Sequence, residues 1–318
     1  MTSEFGLIAR HFTRPTPGAV LGVGDDAALL QLGPGMQLAV STDMLVAGTH
    51  FYPDTDPRRL GWKTLAVNIS DLAAMGAEPR WATLAISLPK ADEAWLAAFA
   101  AGLFECAGRF GVELVGGDTT RGPLNLSVTI LGEVPAGQAL RRNAAEAGDD
   151  VWVSGTLGGA SLGLATLQGR AVLAESARQD CLQHLEFPQP RVSLGLALRG
   201  IAHAAIDISD GLLADLGHIL ECSELGAELQ LAALPAHRAL APLLGEDWAR
   251  NCLLAGGDDY ELCFTAAPRQ RSRIEALTSE LQLPLARIGC ITHQPGLSLL
   301  DPAGQAIPAI RSGYDHFA

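Results

Sequence analysis

Carboxylates recur beside apolar runs in this chain: Asp25 and Asp26 in GVGDDA, Asp43 in STDM, Asp71 in NISDLAAMG, Asp118 in GGDTT, Asp207 and Asp210 in DISDG, Asp258 and Asp259 in GGDDYEL. A carboxylate next to apolar residues is costly to bury unless a cation or hydrogen-bond donors meet it. The pattern therefore calls for bound metal. Mg2+ suits it, because that ion takes oxygen ligands, keeps several waters and commonly joins one or two protein carboxylates to substrate phosphates. The hydroxyls of Ser41, Thr42, Thr119 and Ser209 stand beside these acids as compatible donors. Asp and Gly are also ordinary turn residues, and Asp is a preferred helix cap. Asp25 alone reads as a turn residue and Asp210 alone as a cap. Asp71, inside an apolar helical run, fits neither role, and the clusters taken together point to chemistry.

The elements that must carry these residues follow from periodicity. Met36 to Asp43 reads as a strand ending in carboxylate, and Gly61 to Met75 places Trp62, Leu65, Ile69 and Leu72 at helical spacing. Asn68 and Asp71 then share a neighbouring face of that helix. Alternation over Ala82 to Leu88 predicts a strand, and Asp92 to Phe110 a helix with Asp92 near its start. Val112 to Val115 and Leu124 to Val134 read as strands flanking a Gly-Gly-Asp-Thr-Thr connection. After the polar stretch Pro135 to Asp150, the strand VWVSG, a Gly-rich turn and a helix over Ala160 to Leu167 begin a second run. Ala204 to Ile208 reads as a strand leading into Ser-Asp-Gly and a helix to Ser223, with Gly226 as its stop. The GGDDYEL segment opens another strand. A helix over Pro268 to Leu281 and strands near Arg287 to Ile291 and Leu297 to Leu300 complete the run. Strands mixed with helices in both halves make the class α/β or α+β.

GVGDDA also fits GxGxxA after a strand, with Asp43 some twenty residues on, as in a dinucleotide fingerprint. That motif must open a helix, whereas only Ala27 to Leu32 precedes Gly33-Pro34-Gly35, and two carboxylates would face the pyrophosphate. No GxxxxGK[ST] string occurs, so a Walker loop is excluded as well.

The chain has 318 residues, 48% of them hydrophobic, with 22 Lys and Arg against 35 Asp and Glu, a net charge of -13. That length supports one large or two medium domains, and that charge disfavours nucleic acid and anionic membrane. An anionic substrate would then need metal ions as intermediaries. The six cysteines, Cys106, Cys181, Cys222, Cys252, Cys263 and Cys290, are scattered with no CxxC pair, as expected of reduced thiols. MTSEFGLIARHF lacks a signal-peptide apolar stretch and no later run reaches the ~18 apolar residues of a span, so a cytoplasmic protein is expected.

The strings GVGDDAALL, VSTDMLVAGTHF, KTLAVNISDLAAMGAEPRW, GGDTTRG, AIDISDGLLADLGHI and GGDDYELCF, in this order and spacing, resemble the thiamine-monophosphate kinases. The resemblance runs from about Phe5 to Tyr314. That family shares a superfamily with aminoimidazole ribonucleotide synthetase and selenophosphate synthetase. The resemblance implies a two-domain α/β (mixed α+β) fold. Residues 1–137 would form an N-terminal α/β domain whose strands pair across a homodimer, and residues 148–318 a C-terminal α+β domain that completes an ATP and substrate cleft. It implies that Asp26, Ser41, Thr42, Asp43, Asp71, Asp118, Asp207 and Asp210 hold several Mg2+ ions, with transfer depending on Asp43, Asp71 and Asp210. Gly117, Asp118, Arg142 and Ser209 would contact ATP, and His50, Asp258 and Tyr314 would bind thiamine monophosphate. Where the family usually has Glu in GGEDYEL, this chain has Asp258; the carboxylate is kept and its reach is shortened. Alternatives are another ATP-dependent member of the superfamily and a non-catalytic nucleotide- and metal-binding regulator. Selenophosphate synthetase would want a reactive N-terminal Cys or selenocysteine, and the first cysteine here is Cys106.

Overall fold

The computed structural model describes residues 4–307 and Gly313, and the chain divides into two units: Met1–Leu72 with Ala77–Gly137, and Ala73–Gly76 with Gln138–Ala318. In the first unit the order is α1 (Glu4–His11), β1 (Met36–Val46), α2 (Pro57–Ala74), β2 (Glu78–Leu88), α3 (Glu93–Phe110), β3 (Glu113–Arg121) and β4 (Asn125–Pro135). The four strands form one sheet in the order β1-β4-β2-β3, with β2 and β3 parallel and the other pairs antiparallel.

Burial alternates along the strands as a half-covered sheet requires. Leu126, Val128 and Ile130 of β4 and Leu84 and Ile86 of β2 are buried, as are Leu65, Ile69 and Leu72 of α2 and Leu96, Phe99 and Leu103 of α3. The opposite face of β1 shows Leu38, Val40 and Met44 to solvent, 44%, 55% and 53% exposed. Asp92 caps α3 by accepting the Trp95 N–H at 3.1 Å, and Gly111 ends it in the left-handed region at φ 70°. Helices α2 and α3 approach closely through glycine. A Cβ on Gly61 would lie 2.0 Å from the Phe99 carbonyl oxygen, and one on Gly102 1.8 Å from that of Arg58.

Two expectations change here. The Gly-Gly-Asp-Thr-Thr connection is not a loop, since β3 runs through it to Arg121, with a register shift between Ala82 and Thr83 of β2 absorbing the irregular glycines. The strand expected before GVGDDA is absent too, since residues 19–30 hold only isolated bridges, Leu21 to Leu29 and Val23 to Asp25. No helix forms over Ala27 to Leu32, so the dinucleotide fingerprint has no helix to open.

The second unit contains β5 (Asp150–Ser154), α4 (Gly159–Leu167), α5 (Glu175–Glu186), α6 (Val192–Ala197), β6 (Ala204–Asp207), α7 (Leu212–Ser223), β7 (Gly226–Gln230), α8 (Asp247–Leu254), β8 (Leu262–Ala266), α9 (Arg271–Leu281), β9 (Leu285–Thr292), β10 (Gly296–Leu300) and β11 (Ala306–Ile307). Its sheet runs β11-β10-β7-β9-β5-β8-β6. Val151, Val153, Ile206, Leu212, Leu216 and Leu229 join one core, while Trp152, Phe264, Leu262 and Ile274 join a second. Helix α7 ends at Glu224, left-handed at φ 56°, rather than at Gly226, which instead starts β7. The GGDDY segment is irregular, and its strand begins only at Leu262. Among the described residues no helix is long and apolar enough to cross a membrane. The six cysteines are free, with Cys106, Cys181, Cys252 and Cys263 buried.

Candidate functional site

In the first unit, alternation along β1 sends Ser41 and Asp43 to the face that α2 covers. The Ser41 hydroxyl donates to Asp71 Oδ2 at 2.5 Å, and the Asp43 backbone N–H donates to Asn68 Oδ1 at 3.0 Å. Asn68 and Asp71, three apart on α2, thus meet residues two apart on β1, the match of helical and strand spacing that the sequence allows. Asn68 is itself fixed, its amide donating to the Thr64 carbonyl at 3.0 Å. The Asp71 carboxylate and Ser41 hydroxyl, with Asp43 two residues on along the same face of β1, are oxygen donors of the kind Mg2+ takes.

Other predicted residues of this unit stand elsewhere. Thr42 projects from the opposite face, where its hydroxyl meets that of Thr129 at 2.8 Å. Asp118 lies in register with Ala85, Ser127 and Met44, on that same face and three strands from β1. At the usual strand spacing this is about 14 Å. Gly117 beside it has φ 148°, and a Cβ there would lie 1.9 Å from the Leu84 carbonyl oxygen. Asp26 is exposed, and its N–H is bound by the Asp25 carboxylate at 2.9 Å. His50 follows β1 in a turn, and its Nδ1 accepts the Val46 N–H at 3.0 Å. The neutral ring therefore carries its proton on Nε2, a donor suited to an anionic ligand.

In the second unit the DISDG and GGDDYEL motifs lie side by side. Asp258 N–H donates to the Ser209 carbonyl at 2.9 Å and Tyr260 N–H to that of Ile208 at 2.8 Å. This approach needs Gly257, where a Cβ would lie 2.3 Å from the Ser209 oxygen. Asp258 and Tyr260 are left-handed, at φ 68° and 49°. Asp enters that region more readily than Glu, so the backbone suits the residue found here over the family's usual one. The Tyr260 hydroxyl donates to Asp258 Oδ1 at 3.3 Å.

Three acids that sequence reasoning left without a role build this region. Asp215, in the first turn of α7, accepts the N–H groups of Ser209, Asp210 and Gly211 on its Oδ2, each at 3.0 Å. Burial pushes its carboxyl up to about 7, against the pull of these donors. Asp259 accepts the Gly158 N–H at 2.7 Å at the start of α4, and burial raises its carboxyl well above the usual range. Glu261 is paired with Arg191 and accepts the Ser154 hydroxyl at 2.5 Å. The signal for Asp215 was an acid one turn into an apolar helix whose preceding residue, Gly211, has no capping side chain.

Arg142 is exposed, with its carbonyl accepting from Ser223 at 3.0 Å, at the far end of α7 from Ser209 and Asp210. The helix rise separates the two ends by about 16 Å. Tyr314 lies outside the described residues. Among the described residues, three-member groups whose ligand atoms converge within 4.8 Å are Asp180, His184 and His237, and Glu146, Asp149 and His203. Neither contains a predicted metal carboxylate. The first is satisfied as it stands: His237 Nε2 meets Asp180 at 3.0 Å, Arg238 reaches the same oxygen at 3.0 Å, and His237 Nδ1 accepts from Ala239 at 3.3 Å.

The chain matches the AIR synthase related proteins, their N-terminal domain over residues 24–134 and their C-terminal domain over residues 146–301. It is 47% identical over 321 residues to the thiamine-monophosphate kinase of Escherichia coli strain K12, covering 99% of this chain and 98% of the relative. Its fold matches the crystal structure of thiamine-monophosphate kinase from Stenotrophomonas maltophilia K279a with TM-score 0.85 and 51% identity, covering 95% of each chain. A structure of AaThiL complexed with AMPPCP and TMP matches with TM-score 0.79 and 28% identity, over 99% of this chain and 97% of the other.

Proposed function

The chain belongs to the thiamine-monophosphate kinases, within the AIR synthase related proteins, and from that premise we propose how its residues move the γ-phosphate of ATP onto thiamine monophosphate. Ser41, Asp43 and Asp71 form the principal Mg2+ seat, with Asp26, Thr42, Asp118, Asp207 and Asp210 serving further ions. Mg2+ bound there supplies charge neutralisation between two polyanions and on the departing ADP. The observation that carries this reading is the Ser41 to Asp71 contact at 2.5 Å, beside an Asp43 backbone fixed by Asn68.

The acceptor is a phosphate monoester with second pKa near ~6, so it is largely ionised at neutral pH and needs no protein base. What the chain must supply is alignment. Ser209 and Arg142, with Gly117 and Asp118, hold ATP; the His50 Nε2–H and Asp258, with Tyr314, hold the acceptor. Transfer is direct and in line, without a phosphoenzyme. Asp258 is bound through its backbone to Ser209, and this contact supports placing acceptor and nucleotide groups on adjoining segments. The protein works as a homodimer in the cytoplasm, and the exposed stripe Leu38, Val40 and Met44 on β1 supports the dimer. Single-turnover transfer from γ-labelled ATP tests the mechanism: label should appear in thiamine diphosphate and never on protein. Label trapped on the chain would overturn direct transfer.

A further inference from the structure

The start of a helix usually offers its unpaired N–H groups to anions, and a loop that brings such a start toward nucleotide is commonly a phosphate cradle. In this chain the loop that leads into α7 is closed to that use. Three consecutive N–H groups, those of Ser209, Asp210 and Gly211, turn onto Asp215 Oδ2 at 3.0 Å each. Asp215 is 3% exposed and lies inside the helix it serves, its own N–H donating to the Gly211 carbonyl at 3.0 Å. Gly211, at φ 119°, permits the turn, and a Cβ there would lie 2.7 Å from the Ala255 carbonyl carbon. The Ser209 carbonyl is also engaged, by Asp258 at 2.9 Å. With the backbone so employed, Ser209 and Asp210 are left with side-chain oxygens, and both residues are only partly buried.

We propose that Asp215 is a positioning residue that turns the Ser209–Gly211 loop, just ahead of α7, from an anion-binding loop into a cation-facing one. The internal carboxylate consumes the donors that would have met phosphate directly and fixes the backbone from which Ser209 and Asp210 present oxygen. The backbone of this segment then offers the nucleotide phosphates no direct donor, and Asp210 meets them only through a divalent cation, which leaves the Ser209 hydroxyl as the segment's direct contact with ATP. The inference rests on the function proposed above, in which Asp207, Ser209 and Asp210 face the metal-bound nucleotide.

The test uses the full-length enzyme and AMPPCP, which cannot be hydrolysed. In titration calorimetry at a series of Mg2+ concentrations, Asp215→Asn should raise the Mg2+ midpoint for AMPPCP binding about tenfold or more and leave thiamine monophosphate affinity within twofold. A lowered melting temperature with an unmoved Mg2+ midpoint makes Asp215 a structural cap only and overturns the proposal. Asp210→Asn is run alongside. A moved midpoint there with an unmoved one in Asp215→Asn overturns the positioning role alone; an unmoved midpoint in Asp210→Asn overturns the reading beneath it and the proposal too. If Asp215→Asn does not fold, amide hydrogen exchange on the wild-type enzyme decides. The Ser209, Asp210 and Gly211 amides should be protected without nucleotide and unchanged by AMPPCP in the absence of Mg2+. Fast exchange in the free enzyme that AMPPCP alone suppresses would show these donors binding phosphate, contrary to the proposal.

Discussion

The Ser41 hydroxyl donates to Asp71 Oδ2 at 2.5 Å, joining the middle of β1 to the inner face of α2. This contact ties together two of the predicted metal residues in the first unit, and it fixes the orientation of one Asp71 oxygen. Asp71→Asn keeps the shape and an oxygen to accept the Ser41 proton while removing the charge. Turnover should fall at least about a hundredfold, with the melting temperature within a few degrees of wild type. Turnover within threefold of wild type at saturating Mg2+ would remove Asp71 from the metal seat.

Asp258 occupies left-handed backbone at φ 68°, so Ala would combine lost charge with backbone strain. Asn tolerates the same backbone and isolates the charge. Asp258→Asn should raise the KM for thiamine monophosphate about tenfold or more, the worth of one charged hydrogen bond, with kcat and the KM for ATP within twofold. A change confined to the KM for ATP would move Asp258 to the nucleotide side.

Much of this arrangement was legible in the sequence, and what was not has physical reasons. Helix α2, with Asn68 and Asp71 sharing one face of it, followed from apolar spacing alone, and Asp71 stood out because a charged residue inside an apolar run is costly to bury without a partner. The Asp92 cap of α3 was equally plain. Gly117 and Asp118 looked like loop residues because glycine signals turns, whereas the strand passes through them on a register shift that depends on β2. Asp215 stayed hidden because its partners are backbone N–H groups, so its one mark in the sequence is an acid in the first turn of an apolar helix that follows Gly211. Thr42 and Ser41 were indistinguishable as donors until the strand's two faces were assigned.

His184 and His237 meet edge to face, ring centroids 4.8 Å apart, and burial lowers both below their ordinary values, with Asp180 opposing and Arg238 assisting. In the unfolded chain they titrate near ~6.5. Between the lowered folded values and this one the unfolded state binds more protons, so stability rises with pH. The pair's contribution to the melting temperature should be level above about pH 7 and decline by a few degrees as pH drops below about 6.5, against the opposite trend of the raised Asp215 and Asp259 carboxyls. His184→Gln should flatten that decline; an identical pH profile in the variant would assign the decline to other groups.

Leu38, Val40 and Met44 form an apolar stripe on the exposed face of β1, at one end of its sheet. Covering such a stripe with a second copy would remove it from water. Sedimentation at micromolar concentration should show a dimer, and Val40→Lys should shift it toward monomer without lowering the helical signal in circular dichroism. A wild-type chain that sediments as monomer would contradict the dimer.

The most direct measurement is product formation by the purified chain given ATP and thiamine monophosphate, with thiamine diphosphate and ADP quantified together, in Mg2+ and again after chelation. One thiamine diphosphate should form for each ADP, only with the acceptor present and only with the divalent cation. ADP released at the same rate without thiamine monophosphate, or transfer that persists in the chelator, would contradict a kinase whose paired carboxylates act by seating metal.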